Sequence, residues 1–71
     1  MGKAKVRNVE LSYDPEVDIL DISIRQGRAS DFAEVGRDLV ITLDSQKRVL
    51  DIEIWRASKK LPKKLLRLFQ I

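Results

Sequence analysis

The 71-residue sequence contains no cysteine and no histidine. The absence of cysteine excludes disulfides and thiolate metal sites, and the absence of histidine removes the commonest general base and the commonest metal ligand. No apolar run approaches the roughly 18 residues of a transmembrane helix, and the first residues are too polar for a signal peptide. We therefore expect a cytoplasmic protein with no membrane attachment, no metal site, no cofactor and no small-molecule substrate.

The chain is short enough to predict one small domain over residues 1–71 with a thin core. A chain of this size buries only about 60% of the surface that its unfolded form exposes. An ordering entropy of roughly 1.5 kcal/mol per residue offsets most of that burial, so such chains usually need a covalent or metal staple or a partner. Without disulfides or metals, self-association, most simply as a homodimer, is the remaining source of extra burial.

One five-residue pattern occurs twice, as Leu-Asp-Ile-Ser-Ile at residues 20–24 and as Leu-Asp-Ile-Glu-Ile at residues 50–54. In both copies apolar and polar residues alternate, which is the period of two that a half-buried strand requires. Aligning residues 7–24 with residues 37–54 gives six identical positions. Either an internal duplication or two hairpins that obey one pattern explains the repeat.

Each copy predicts one antiparallel β-hairpin. The first covers about residues 7–25 with a turn after Tyr13, and the second covers about residues 39–55 with a turn starting at Asp44. This register places the apolar side chains of all four strands on one face, namely Val9, Leu11, Leu20, Ile22, Leu39, Ile41, Leu50 and Ile52. On the other face it sets Glu10 opposite Asp21, Asp38 opposite Glu53, and Asp51 opposite Val40.

The connection at residues 26–38 has two readings. Ala29, Phe32 and Val35 recur every three residues, and Asp31 with Glu34 resembles a capping box for one helical turn. The same segment also fits an extended connection. In either case we expect Phe32 to anchor the segment in the core.

The C-terminal segment predicts an amphipathic helix over about residues 58–70. Ser58 is a candidate N-cap, and an apolar stripe follows at Leu61, Leu65, Leu68 and Phe69. Because proline is excluded from a helix interior, either the helix begins near Leu61 or a separate first turn precedes Pro62. The predicted fold is α+β: a four-stranded antiparallel sheet made of two repeated β-hairpins, with one face covered by this helix.

The other face of the sheet carries the candidate partner-binding residues, which are Asp21, Asp51, Glu53, Trp55, Val40 and Val49. Like charges opposite each other are destabilising, so the carboxylates either receive a cation or a basic protein partner, or simply solvate the face. Trp55 either packs under a terminus or a loop, or belongs to an interface, because aromatic residues are enriched at interface hot spots.

The alternative candidate site is basic. Residues 58–71 hold five bases and no acid, whereas residues 1–57 hold the other nine bases and all 11 acids. The five are Lys59, Lys60, Lys63, Lys64 and Arg67. A basic helix can neutralise phosphates of a nucleic acid. The structural alternative is that cations near a helix C-terminus favour its dipole and keep a leucine-rich helix soluble.

The remaining acids do not predict calcium binding or catalysis. Asp14, Glu16 and Asp18 begin like a calcium loop, but Ile19 stands where that loop has glycine and Arg25 where it has glutamate. Hydrolysis by paired carboxylates needs a pocket that raises one pKa, and no predicted element is left to build one. We therefore expect that the protein is not an enzyme.

Several segments taken together carry a family resemblance: Tyr13-Asp14-Pro15-Glu16-Val17-Asp18, residues 19–24, Ala33-Glu34-Val35, residues 49–54 and Ala57-Ser58-Lys59-Lys60-Leu61-Pro62. They resemble the small prokaryotic domain-of-unknown-function family 2283 (DUF2283). The resemblance implies a compact α+β domain, an antitoxin-like role for some members and no catalytic residue. The sequence departs from the family pattern at the turn Ser45-Gln46-Lys47-Arg48, which lacks glycine, and at Arg56, where the family has Asp.

These observations predict a small protein-interaction module that binds a partner in an antitoxin-like way or associates with itself. The alternative is a nucleic-acid-binding module that uses the basic C-terminal helix.

Overall fold

The protein is built on one antiparallel sheet, as a computed structural model describing residues 4–6 and 9–70 shows. Its six strands are β1 (Ala4–Val6), β2 (Val9–Asp14), β3 (Ile19–Ser23), β4 (Asp31–Val35), β5 (Leu39–Leu43) and β6 (Val49–Trp55). Their order across the sheet is β1-β2-β3-β6-β5-β4. A 3₁₀ turn (Ala57–Lys59) and helix α1 (Lys63–Leu68) follow. The α+β prediction is confirmed.

The predicted strand count of four was wrong, because β1 and β4 extend the sheet at its two edges. Of the two predictions for the connection, the extended one is confirmed, because Asp31–Val35 pairs with β5 throughout its length. Phe32 does not enter the core. It lies opposite Thr42 and is 65% exposed, because the alternation of β4 turns Ala33 and not Phe32 to the face that carries Ile41.

The two repeats form the centre of the sheet. The predicted hairpins are β2–β3 and β5–β6, and they meet where β3 pairs with β6. Ile22 lies directly opposite Ile52, which is its equivalent in the repeat. A quasi-twofold axis therefore passes through this pair, and the two halves of the sheet have the same strand order about it.

The hairpin registers are shifted by two residues from the predicted ones. Leu11 lies opposite Ile22, and the first turn spans residues 15–18 because Asp14 still pairs with Ile19. The Asp14 carboxylate accepts the Glu16 N–H, and Asp18 adopts a left-handed φ of 58° to close the turn. A shift of two leaves every side chain on its predicted face.

The opposing pairs predicted on the outward face are therefore wrong, although the face itself is right. Glu10 lies opposite Ser23, while Ser12 lies opposite Asp21. Val40 lies opposite Glu53, and Thr42 lies opposite Asp51.

Helix α1 is shorter than predicted and presents a different side to the sheet. Pro62 is its N-cap in an extended conformation, and the 3₁₀ turn supplies the separate first turn that one of the two readings required. Leu66 is buried and Phe69 packs on the core, whereas Leu65 and Leu68 of the predicted stripe are 37% and 54% exposed. Because Pro62 separates the 3₁₀ turn from α1, the helix does not continue from Ser58, and its buried residue is Leu66 and not Leu65.

The core lies under α1 at the β2–β3 side of the sheet. Its buried cluster is Tyr13, Leu20, Ala57 and Leu66, with Ile22, Ile54, Leu61 and Phe69 packed against it. At the far end of the sheet Leu50 is buried against the connection, where a Cβ on Gly27 would come within 3.0 Å of a Leu50 methyl. No helix in the described part of the chain has the length and apolar character needed to cross a membrane.

Candidate functional site

The candidate site is the outward face, defined as the side of the sheet opposite α1. Strand pairing sets two polar rows across it. One row is Ser12, Asp21, Glu53, Val40 and Glu34, and the other is Glu10, Ser23, Asp51, Thr42 and Phe32. Because apolar and polar residues alternate in the repeated pattern, the pairing that buries the isoleucines turns every acid of the pattern outward.

Three of these acids meet at the quasi-twofold axis and form what we call the acidic triad: Asp21, Asp51 and Glu53. Asp21 lies opposite Glu53, and Asp51 lies opposite Ser23 two pairs further along, beyond Ile22 and Ile52. One carboxylate oxygen from each of the three lies within 4.8 Å of the others. Hairpin registers alone could not reveal this arrangement, since it arises from the contact between the two repeats.

The acidic triad changes the protonation of Asp51. Burial in the sheet, followed by the hydrogen bond and charge of Asp21, raises the pKa of Asp51 to about 7 from the usual 3.8. The Ser23 hydroxyl lies 3.1 Å from an oxygen of Asp21 and 3.1 Å from an oxygen of Asp51. A hydroxyl has one proton, so it can stabilise only one of the two carboxylates at a time. The triad therefore retains a proton near neutral pH.

Apolar side chains border the acidic triad. Trp55 is 40% exposed and its indole N–H donates to Glu53 at 3.0 Å. Val40 is half-buried opposite Glu53. Val49 was expected beside them, but a register irregularity after Thr42 pairs it with Leu43 and interrupts the alternation that would place it next to Asp51. The structure thus brings together five of the six predicted partner-binding residues.

The triad offers oxygen ligands of the kind that hard cations prefer. Calcium takes six to eight oxygens, and three carboxylates on one open sheet face leave much of that coordination sphere to water. A guanidinium or an ammonium group needs fewer ligands and matches the same charges. The arrangement therefore fits a basic side chain better than a metal ion.

The alternative, basic site is spread over two elements. Lys59 closes the 3₁₀ turn, and Lys63, Lys64 and Arg67 lie exposed on α1. Lys60 is engaged within the protein, since its ammonium lies 2.9 Å from Asp38, which also pairs with Arg56. Lys60 and then Arg56 hold the pKa of Asp38 below its usual value. All five predicted bases are thus exposed, and Lys60 is held in an ion pair.

The structure contains a second polar cluster, which the sequence did not indicate as a site. The Tyr13 hydroxyl donates to Asp18 at 2.5 Å, and Ser58 donates to the same carboxylate through its backbone N–H at 2.9 Å and its hydroxyl at 2.7 Å. The hydrogen bonds from Ser58 and then Tyr13 lower the pKa of Asp18, while the bond to Asp18 and burial raise the pKa of Tyr13 to about 12. The cluster clamps the β2–β3 turn to the segment after β6.

Comparison with known families assigns the chain to one of them. A family model described as "Protein of unknown function (DUF2283)" matches residues 10–58. The chain belongs to the DUF2283 family. No curated protein and no solved structure matches it.

The DUF2283 match runs from one side of the clamp to the other, and the two most distinctive sequence segments meet there. The Tyr-Asp-Pro-Glu segment leads to Asp18, and the Ala-Ser-Lys-Lys-Leu-Pro segment supplies Ser58. The backbone of this DUF2283 member adopts a positive φ of 67° at Lys47 and of 52° at Arg56. Helix α1 lies beyond the matched residues.

Proposed function

We propose that this DUF2283 protein is a protein-interaction module whose outward face binds a basic protein partner. The observation that carries the proposal is the acidic triad. The pairing of the two repeats brings three carboxylates together next to an exposed tryptophan.

A basic side chain over the triad would relieve its like-charge repulsion. In the free protein, Asp51 keeps a proton near neutral pH because of burial and Asp21. An arginine placed over Asp21 and Asp51 favours the ionised form of both and can bond them in a bidentate way. Binding should therefore release a proton near pH 6.5, and affinity should rise between pH 6 and pH 8.

Trp55 and Val40 supply the apolar part of this surface. Tryptophan is among the residues that dominate interface energetics, particularly when a polar ring surrounds it. Trp55 is already oriented by its bond to Glu53, so little rotamer freedom is lost on binding. Truncation to alanine should weaken partner binding by about 2 kcal/mol or more.

The family resemblance gives this proposal a specific form. An antitoxin-like member would use its acidic face to neutralise a basic toxin, and the adjacent gene is the first place to look for that partner. The alternative, nucleic-acid binding through Lys63, Lys64 and Arg67, uses the opposite side of the molecule. The positive charge of these bases supports nucleic-acid binding, but no aromatic platform lies beside them in the described part of the chain.

Site-specific photo-crosslinking in the source cells tests the proposal. A photoreactive amino acid at Val40 should yield one discrete adduct with a protein rich in arginine and lysine, whereas the same group at Val17, an exposed turn residue, should not. Isothermal titration with the purified partner should then show proton release that Asp51→Asn abolishes. Adducts at Val17 and Val40 alike, or none at Val40, would overturn the proposal.

A further inference from the structure

The apolar side of the sheet is only half covered. Helix α1 and the 3₁₀ turn pack over Tyr13 and Leu20 at the β2–β3 side. Towards β4 the same face carries Ala33, Val35, Leu39 and Ile41, which we call the bare patch. Three of these residues are half-buried and Val35 is 51% exposed. An apolar sheet face needs a second layer along its whole width.

The chain exposes more surface than a folded monomer of its mass is expected to expose, which leaves area for an interface. Its accessible surface is 5420 Å², whereas a folded monomer of 8.2 kDa is expected to expose roughly 4,500 Å². The excess of about 900 Å², which is counted over the whole chain, is of the same order as the roughly 800 Å² that each partner buries in a standard protein–protein interface.

Helix α1 has an apolar flank that its own sheet does not use. At about 100° per residue, the inward residues Leu66 and Phe69 and the exposed residues Leu65 and Leu68 span an arc of about 160°. A helix that covers a single surface needs an apolar stripe of about 100°. The bases of α1 occupy the rest of the circumference.

We propose that a second copy of this chain covers the bare patch, and that α1 of each copy packs its Leu65–Leu68 flank on the bare patch of the other. Such an interface is isologous, so each copy gives one helix and receives one. It uses the side of the sheet opposite the outward face, and so it is independent of the proposed partner binding.

Charge favours this helix-on-sheet arrangement over contact between the two helices. Packing α1 against α1 would bring Lys63, Lys64 and Arg67 of both copies together, which is a like-charge juxtaposition. The bare patch is itself uncharged, and two acids at its border are already ion-paired: Asp31 lies 3.5 Å from Lys47, and Asp38 pairs with Arg56 and Lys60. The helix of the second copy therefore meets an uncharged apolar surface and not the bases of a second helix.

Sedimentation equilibrium of the full chain at micromolar concentration is the first test, and we expect twice the mass of 8.2 kDa. Leu68→Gln and Val35→Gln should each weaken the dimer at least a hundredfold, because twofold symmetry removes each side chain twice. Val17→Gln is the matched control, as Val17 is equally exposed but lies in the β2–β3 turn, and it should leave the dimer intact. Circular dichroism should confirm that all three variants remain folded.

Disulfide trapping gives an independent readout, because the chain has no cysteine of its own. Oxidising a mixture of Leu68→Cys and Val35→Cys copies should yield a heterodisulfide, while Leu68→Cys alone should not form a homodisulfide. A monomer at 100 µM, a dimer that neither glutamine variant weakens, or a Leu68→Cys homodisulfide without the heterodisulfide would each overturn the proposal.

Discussion

Replacing Asp51 by asparagine tests the electrostatics on which the candidate site rests. The substitution keeps the shape of the side chain and removes its charge. Burial and the neighbouring Asp21 raise the pKa of Asp51 to about 7, so above that pH the native protein must hold three carboxylates within 4.8 Å of one another. The asparagine variant avoids this cost, and its amide can donate to Asp21.

The size of the effect follows from the pKa difference between native and unfolded chains. A shift of about three pKa units would correspond to about 4 kcal/mol if nothing screened it. Asp51 is only half-buried, so solvent screening reduces the expected effect to about 1–2 kcal/mol. A raised carboxyl pKa means that the native state binds the proton more tightly. The stability that Asp51 contributes is thus fully present below pH 3.8 and is lost as pH rises through 7.

Urea unfolding followed by circular dichroism measures this directly. At pH 8.5, Asp51→Asn should raise the free energy of unfolding by about 1–2 kcal/mol, and at pH 4 the gain should be less than half as large. Glu16→Gln, which removes an exposed carboxylate from the β2–β3 turn, should show no such pH dependence. A variant less stable than the wild type at pH 8.5, or an equal gain at both pH values, would refute the reasoning.

Three further predictions concern other parts of the molecule. Tyr13→Phe removes the buried hydroxyl bonded to Asp18 and should lower the free energy of unfolding by about 1.5–3 kcal/mol in urea; unchanged stability would mean that the clamp does not hold the turn. Lys47→Gly relieves a φ of 67° and should raise the melting temperature, with a gain of up to about 1 kcal/mol. If the basic segment binds DNA, replacing Lys63 and Lys64 by glutamine should reduce the slope of log affinity against log salt by about two, and absence of binding by the wild type at 50 mM salt would exclude that function.

The period of two in the repeats predicted the strands and the faces of their side chains. It did not predict register, because a shift of two residues leaves both faces unchanged. The actual register of the first hairpin depends on where its turn closes, and that is decided by Asp14 and by the left-handed conformation of Asp18. The turn preferences of these two aspartates are too weak for the sequence alone to show at which residue the turn closes.

The alternation of apolar and polar residues did not predict the order of the strands in the sheet. Alternation shows which residues share a face but not which strands become neighbours, so the β3–β6 pairing that assembles the acidic triad had no signal beyond the repeat itself. The edge strand β4 was ambiguous because Phe32 and Val35 fall on opposite faces of a strand while sharing a three-residue spacing typical of a helix. In α1, six residues are too few for an apolar stripe to identify its buried side.

The pairing of β3 with β6 creates both proposed surfaces. The two surfaces can therefore be tested together. Pairing Ile22 with Ile52 turns the isoleucines to one side of the sheet and the acids of both repeats to the other. The bare patch and the acidic triad therefore lie on opposite sides of one layer, and the effects of Leu68→Gln and Asp51→Asn should be additive. Leu68→Gln should weaken the dimer without changing proton release on partner binding, and Asp51→Asn should do the reverse. If Asp51→Asn also weakened the dimer, the second copy would have to contact the outward face, and the assignment of one surface to each partner would be wrong.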